Sequence, residues 1–258
     1  LKEKGLYSFL LLISVFILIS IACATTQSIP TGTPEATATV MPSPTATRTL
    51  RPSPTPRPTW TPDIGATQYI EETIAEVQEY YEEGYLTTTD GTFAEFDDFT
   101  YDWADLGRYQ LFTLPISVGD FFLRAHFRWN SALENSDTAG CGFIFGLQPN
   151  SDHYAVFLDR TKVYFRISNP ELGYSSNVEP AHVMGKVKFD YPAEADFALI
   201  VKDRQAFVLV DGSVVSEYTL LVGRPVRGEL GLTVLSGTNK DYGTHCEMTD
   251  LRLWIPDN

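Results

Sequence analysis

Phe121-Phe122-Leu123-Arg124-Ala125-His126-Phe127-Arg128-Trp129 decides the fold. Phe121, Leu123, Ala125, Phe127 and Trp129 occupy one phase; Phe122, Arg124, His126 and Arg128 occupy the other. Side chains of an extended chain point alternately to opposite faces, so a period of two marks a long half-buried strand. The rhythm continues downstream. Cys141, Phe143, Phe145 and Leu147 alternate with Gly142, Ile144 and Gly146; Tyr154, Val156 and Leu158 follow. After a tight Asp159-Arg160 connection come Val163, Phe165 and Ile167. Phe197, Leu199 and Val201 precede Asp203-Arg204, and Phe207 and Leu209 run into Asp211-Gly212, a pair that tolerates positive φ and signals a hairpin. Segments 214–218, 230–235 and 245–255 complete the set. Roughly ten to thirteen strands at this spacing, with no helix of crossover length between them, predict an all-β antiparallel sandwich over residues 85–258.

Upstream of residue 84 the rhythm is different. Ile70, Ile74, Val77 and Tyr81 recur at helical spacing among Glu71, Glu72, Glu76, Glu79, Glu82 and Glu83, and Gly84 ends the run. This predicts an acidic amphipathic helix within 63–84, whose apolar stripe lies on the sandwich or pairs with another copy. Residues 25–62 are dominated by Thr, Pro, Ala and Ser, as in Arg51-Pro52-Ser53-Pro54-Thr55-Pro56-Arg57-Pro58. Such a stretch buries too little apolar surface to offset its ordering entropy, and its prolines bias it to an extended, semi-rigid spacer. Its 38 residues would reach on the order of 100 Å.

Lys2 and Lys4 precede an apolar run over residues 6–22, the pattern of an export signal. Three fates fit the segment 1–24: retention as a membrane helix, cleavage at Ala22-Cys23-Ala24, or lipidation at Cys23. Retention or lipidation places the domain at the cell surface or the outer face of the cytoplasmic membrane, touching the membrane through the N-terminus alone; cleavage secretes it. Formal net charge is −14 overall; from residue 63 onward 31 acidic residues face 14 basic ones. A field of that sign repels phosphate backbones and anionic headgroups, which excludes nucleic acid as a partner and keeps the folded part off the bilayer.

Cys141 and Cys246 each sit on a predicted strand. In an oxidising compartment they form a disulfide if the closing strand runs beside the Cys141 strand; otherwise they are two buried thiols. His126, His153, His182 and His245 are scattered and read as polar surface or strand-edge residues. No motif calls for a cofactor. In the loop Ser236-Gly237-Thr238-Asn239-Lys240-Asp241-Tyr242-Gly243, Asn239 and Asp241 offer hard oxygens of the kind Ca²⁺ takes, although two side chains fall short of six ligands; a loop braced by its own side chains is the other reading.

Three passages carry a family resemblance: Asp120 to Phe127 followed by Gly140-Cys141-Gly142-Phe143-Ile144-Phe145; Phe207-Val208-Leu209-Val210-Asp211-Gly212-Ser213-Val214-Val215; and Gly228-Glu229-Leu230-Gly231-Leu232 with a closing strand through Leu251-Arg252-Leu253-Trp254. Their order resembles a concanavalin A-like jelly roll of the laminin-G-like or laminarinase-like kind, over about residues 90–255. Ser20-Ile21-Ala22-Cys23 with the stalk resembles a bacterial lipoprotein, although Ser20 stands where such boxes usually carry Leu. The resemblance implies recognition of extracellular carbohydrate or cell-wall polymer, sometimes with Ca²⁺, and raises glycoside hydrolysis. The hydrolases place Glu-x-Asp-x-x-Glu on one strand; here Glu95-Phe96-Asp97-Asp98-Phe99 is followed by Thr100, so the domain reads as non-catalytic. A structural or protein-binding role for the acidic helix is the third reading. For a sugar-binding sandwich, the aromatic candidates are Tyr101, Trp103, Tyr109, Tyr154, Tyr164, Tyr174 and Tyr191; Trp129 and Trp254 read as core or sheet-end residues. Oligomeric state is not encoded in any motif.

Overall fold

The alternation at 121–129 becomes β4 (Phe121–Ser131), with Phe121, Leu123, Ala125, Phe127 and Trp129 all within 1% of full burial. The computed structural model describes residues 64–136, 138–169, 174–178 and 187–257, and side chains within 70–136, 138–168 and 187–257. The export segment, Cys23, the stalk, His182 and the Tyr174 side chain lie outside this description. The described residues belong to the unit Thr59–Asn258.

One helix, α1 (Ile64–Glu82), precedes thirteen described strands. These are β1 (Gly91–Glu95), β2 (Phe99–Trp103), β3 (Arg108–Val118), β4, β5 (Gly140–Leu147), β6 (His153–Asp159) and β7 (Val163–Asn169). β8 (Tyr174–Val178), β9 (Ala193–Lys202), β10 (Gln205–Val210), β11 (Ser213–Thr219), β12 (Gly228–Ser236) and β13 (Thr244–Pro256) follow. The first sheet runs β1-β13-β4-β9-β10-β11, with β2 also on β13; the second runs β3-β12-β5-β6-β7-β8. Every pairing is antiparallel. β3 to β4, β4 to β5 and β12 to β13 each cross from one sheet to the other, so the strands form a two-sheet antiparallel jelly-roll sandwich. Between the sheets, the Phe127 ring lies 5.2 Å from Phe143 and 4.8 Å from Phe197. Asp211 and Gly212 take φ of 49° and 75°, as a tight hairpin requires.

The disulfide is present, but not between neighbours. Cys141 lies on β5 of the second sheet and Cys246 on β13 of the first, with Cα atoms 5.9 Å apart. It therefore crosses the core and staples sheet to sheet, where the sequence suggested adjacent strands.

Two strands change phase. In β5, Gly146 takes φ 62° and turns Leu147 out of the Cys141–Phe143–Phe145 row onto the opposite face. In β13, the pairing with β4 shifts between Thr249 and Arg252, and Asp250 takes φ 56°. Cys246 and Met248 point inward before this bulge, and Leu251 and Leu253 after it, leaving Trp254 on the outer face.

That outer face receives α1. Val77 and Tyr80 pack with Phe122, Ile200, Phe207 and Trp254, and Tyr80 meets Phe122 edge-on at 5.2 Å. The Glu76 carboxylate pairs with Arg124, and Arg252 donates to Thr73 Oγ1 at 3.2 Å. These polar contacts rotate the helix away from the stripe expected of it. Thr73, Val77 and Tyr80 are buried, whereas Ile70, Ile74 and Tyr81 stay 44–49% exposed.

Candidate functional site

The outer face of the second sheet carries a further apolar layer: Ile144, Ala155, Phe157, Tyr164 and Leu235 are buried there with Tyr109, Leu111 and Leu147 against them. Tyr109 enters from edge strand β3 and reaches far across. Its ring lies 5.3 Å from Phe157 on β6, and its hydroxyl meets His153 Nε2 at 2.7 Å. Arg166 on β7 returns the reach: its guanidinium lies 5.6 Å from the Tyr109 ring and donates to the Gly107 carbonyl at 3.4 Å. β3 and β6 are separated by two strands, which in a flat sheet puts them about 14 Å apart. These contacts make the outer face concave.

Beyond Tyr109 the concavity opens into a recess of about 550 Å³. Leu111 and Thr113 of β3, Leu147 of β5 and Glu229 of β12 line it, with Arg227 at the entry to β12 and Gln148, Pro149 and Ser151 of the β5–β6 turn as its wall. β12 has little side-chain volume here. Gly228 must be glycine, because a Cβ would sit 2.7 Å from the Leu147 nitrogen, and Gly231 sits between Thr113 and Ile144. The wall is built from its own hydrogen bonds. Gln148 Nε2 donates to Gly146 O at 3.1 Å and Arg227 O at 2.8 Å, which fixes the amide and leaves Oε1 as an acceptor. Ser151 takes φ 66°, and its carbonyl accepts from His153 Nδ1 at 2.8 Å. Arg224 secures the far side, donating to His153 O at 3.1 Å and pairing with Asp152 at 3.5 Å. Burial pushes the His153 pKa below the ordinary value, and the nearby Arg224 charge adds to this. Hydrogen-bonding groups thus surround an aliphatic floor, and the Gln148 amide among them is held in place.

A smaller cavity of about 270 Å³ lies between α1 and the first sheet, beside Glu76, Tyr80, Arg124, Asp196 and Asp211. Arg124 sits between Glu76 and Asp196, at 3.7 Å from the latter, so the pairing is spent on docking the helix. Burial raises the Glu76 pKa.

The aromatic candidates do not gather at the recess. Tyr101 packs inward, 4.5 Å from Phe112. Trp103 also packs against the core, and its Nε1 donates to Arg108 O at 3.1 Å. Tyr154 is wholly buried between the sheets, with its hydroxyl accepting from Leu221 N at 3.1 Å. Tyr164 is 7% exposed, and burial raises its pKa strongly. Tyr191 donates toward Ser136 O and Ala139 O at 3.1 and 3.2 Å. Tyr174 places its backbone on β8. None of the described candidates lines the recess; Tyr109 is bonded to His153, two residues along from Ser151 of its wall. Tyr101, Trp103, Tyr154 and Tyr191 pack with the core between the sheets, whereas Tyr164 is covered by the second apolar layer. His153, the first residue of β6, is 5% exposed, where the sequence suggested a polar surface or strand-edge residue. Asn239 and Asp241 are exposed on a loop braced by Gly243 N to Lys240 O at 2.8 Å and Lys240 N to Thr238 Oγ1 at 3.1 Å. Among the described residues no group of three or more His, Cys, Asp or Glu is placed to hold a metal.

Gln148, Arg227 and Glu229 were not singled out by sequence. Their one signal is Arg227-Gly228-Glu229, two charges flanking a glycine where a strand begins.

No family model matches the sequence, and no curated protein matches it. Solved structures of similar shape include a carbohydrate-binding module, CBM66, from Bacillus subtilis. It is 16% identical, with a TM-score of 0.45 and coverage of 64% of this chain and 93% of that one. A Bacillus licheniformis beta-glucanase is 10% identical, with a TM-score of 0.41 and coverage of 66% and 100%. A fructosyltransferase from A. japonicus is 11% identical, with a TM-score of 0.42; the match takes in 65% of this chain and 27% of that one.

Proposed function

We propose that residues 85–258 form a non-catalytic carbohydrate-binding module, displayed outside the cell on the N-terminal tether and directed at a cell-surface or extracellular polysaccharide. The observation that carries this reading is the recess itself. Its volume suits one or two sugar rings, its floor of Leu111 and Leu147 with Pro149 of the wall suits the apolar face of a pyranose, and Gln148, Arg227 and Glu229 suit the hydroxyls. The wall is already fixed before any ligand arrives, which lowers the ordering cost of binding. The disulfide fits an exported, oxidising setting.

Hydrolysis of a glycosidic bond takes two carboxyl groups flanking the bond. Glu229 is the one carboxylate among the described lining residues, so the recess favours binding over cleavage. A glycan array probed with the chain tests the reading. Binding to a defined saccharide class, lost in Glu229→Ala and Gln148→Ala, is expected; silence across neutral, acidic and amino-sugar polymers contradicts it.

A further inference from the structure

We propose that the recess selects saccharides carrying a free, protonated amine, an unacetylated hexosamine unit, with Glu229 as the counter-ion. The proposal rests on the carbohydrate reading above and names the class of sugar.

Glu229 rises from the middle of the recess. It is the second residue of β12, and its Cα pairs with Ser117 of edge strand β3 on one side and Leu147 of β5 on the other. The side chain is exposed, and it has no hydrogen-bond or ion-pair partner among the described residues. The floor beside it is aliphatic. A sugar lying on Leu111 and Leu147 therefore strips water from a carboxylate that the protein leaves unpaired. An ionised group that loses water without a charged partner is disfavoured. Hydroxyls return part of that cost, and an ammonium returns more, because a charge-assisted bond is the stronger one. One carboxylate oxygen takes the ammonium and the other a neighbouring hydroxyl.

Arg227 does not neutralise Glu229. The two charges flank Gly228 and form no ion pair with each other. The Arg227 side chain runs over the β3–β4 turn, where its Nε lies 3.8 Å from the point a Cβ on Gly119 would occupy. Burial raises the pKa of Asp120 in that turn; the Asp203 amide, which donates to Asp120 Oδ1 at 3.0 Å, and the Arg227 charge act against it. The guanidinium is thus shared with Asp120, and the carboxylate of Glu229 is not shared with anything.

The wider field points the same way. From residue 63 onward 31 acidic residues face 14 basic ones. A uronic acid would bring its own carboxylate against Glu229 and against that field, whereas a polymer of free hexosamine is drawn to both. N-acetylation removes the charge from the sugar and with it this advantage.

Calorimetry on the full chain with three matched β-linked trisaccharides, of glucosamine, N-acetylglucosamine and glucose, tests this. At about pH 6, where the amine carries its proton, the glucosamine ligand is expected to bind about tenfold more tightly than the other two. Raising the pH to about 9.5 removes the ligand's charge and should bring the three level. Glu229→Gln keeps the size and hydrogen bonding of the side chain, and the preference at about pH 6 should fall to about one. Asp241→Asn removes the same charge from the exposed loop of Asn239 and should keep the preference, which separates Glu229 from the general field. Equal affinities at the lower pH, a preference for the acetylated ligand, a preference that survives the rise in pH, or one that survives Glu229→Gln overturns the proposal and leaves the module reading intact. Silence toward these ligands and toward every saccharide on the array overturns both.

Discussion

His245 Nδ1 lies 2.7 Å from Asp102 Oδ1, a bond that ties β13 to edge strand β2. The other ring nitrogen lies 2.9 Å from Glu247 Oε1. Carboxylates only accept, so both bonds form together only when the ring is an imidazolium. Arg128 stands behind Glu247 at 3.6 Å and behind Glu194 at 3.2 Å, completing a charged lattice on the first sheet's outer face.

The bond to Glu247, and then the Asp102 carboxylate, raise the His245 pKa above its ordinary value against partial burial. A raised folded-state value contributes stability fully present below the unfolded value of about 6.5 and lost as pH rises through the folded value. His153 has the opposite sign: its lowered value contributes stability present above about 6.5 and lost as pH falls through the folded value. Urea titrations across pH 5 to 9 should therefore show stability falling at both ends. His245→Gln should remove the loss on the alkaline side only. An unaltered alkaline limb in that variant means the ring is not charged by its two carboxylates.

The Cys141–Cys246 bridge closes 105 residues of sequence. A loop of that size constrains the unfolded chain by roughly 3 to 5 kcal/mol. Cys141→Ala with Cys246→Ala should lower the unfolding free energy by about that amount without altering far-ultraviolet circular dichroism. A change below about 1 kcal/mol would mean the sheet pair needs no staple.

Gly228 is fixed by backbone rather than by a side chain. Alanine there brings a Cβ to 2.7 Å from the Leu147 nitrogen and toward the Gly146 carbonyl carbon. Gly228→Ala should cost about 1 to 3 kcal/mol and weaken ligand binding together, because the strain falls on the recess wall. Full stability in a thermal melt would place the strand start differently.

How much of this was readable in sequence depends on how many faces each strand buries. β4 was legible because Arg124, His126 and Arg128 break its apolar phase. β3 was not: Phe112, Leu114 and Ile116 pack against the core while Tyr109 and Leu111 belong to the outer layer, so both phases are apolar. Pro115 obscures it further, sitting where the pairing with β12 shifts register on an edge strand, a position that tolerates proline. The recess was hidden for another reason. Its residues come from three stretches near 111–117, 147–151 and 227–229, which meet only because β12 inserts between β3 and β5. Tyr164 was misread because a tyrosine on the polar phase implies a bare outer face, and the second sheet has none there.

The module reading stands or falls on where a saccharide sits. A crystal structure of the chain with an array-identified oligosaccharide measures this directly. The account predicts sugar density against Leu111 and Leu147, with hydroxyls bonded to Gln148 Oε1 and Glu229. Ordered sugar anywhere else on the sandwich, with the recess holding solvent, would contradict it.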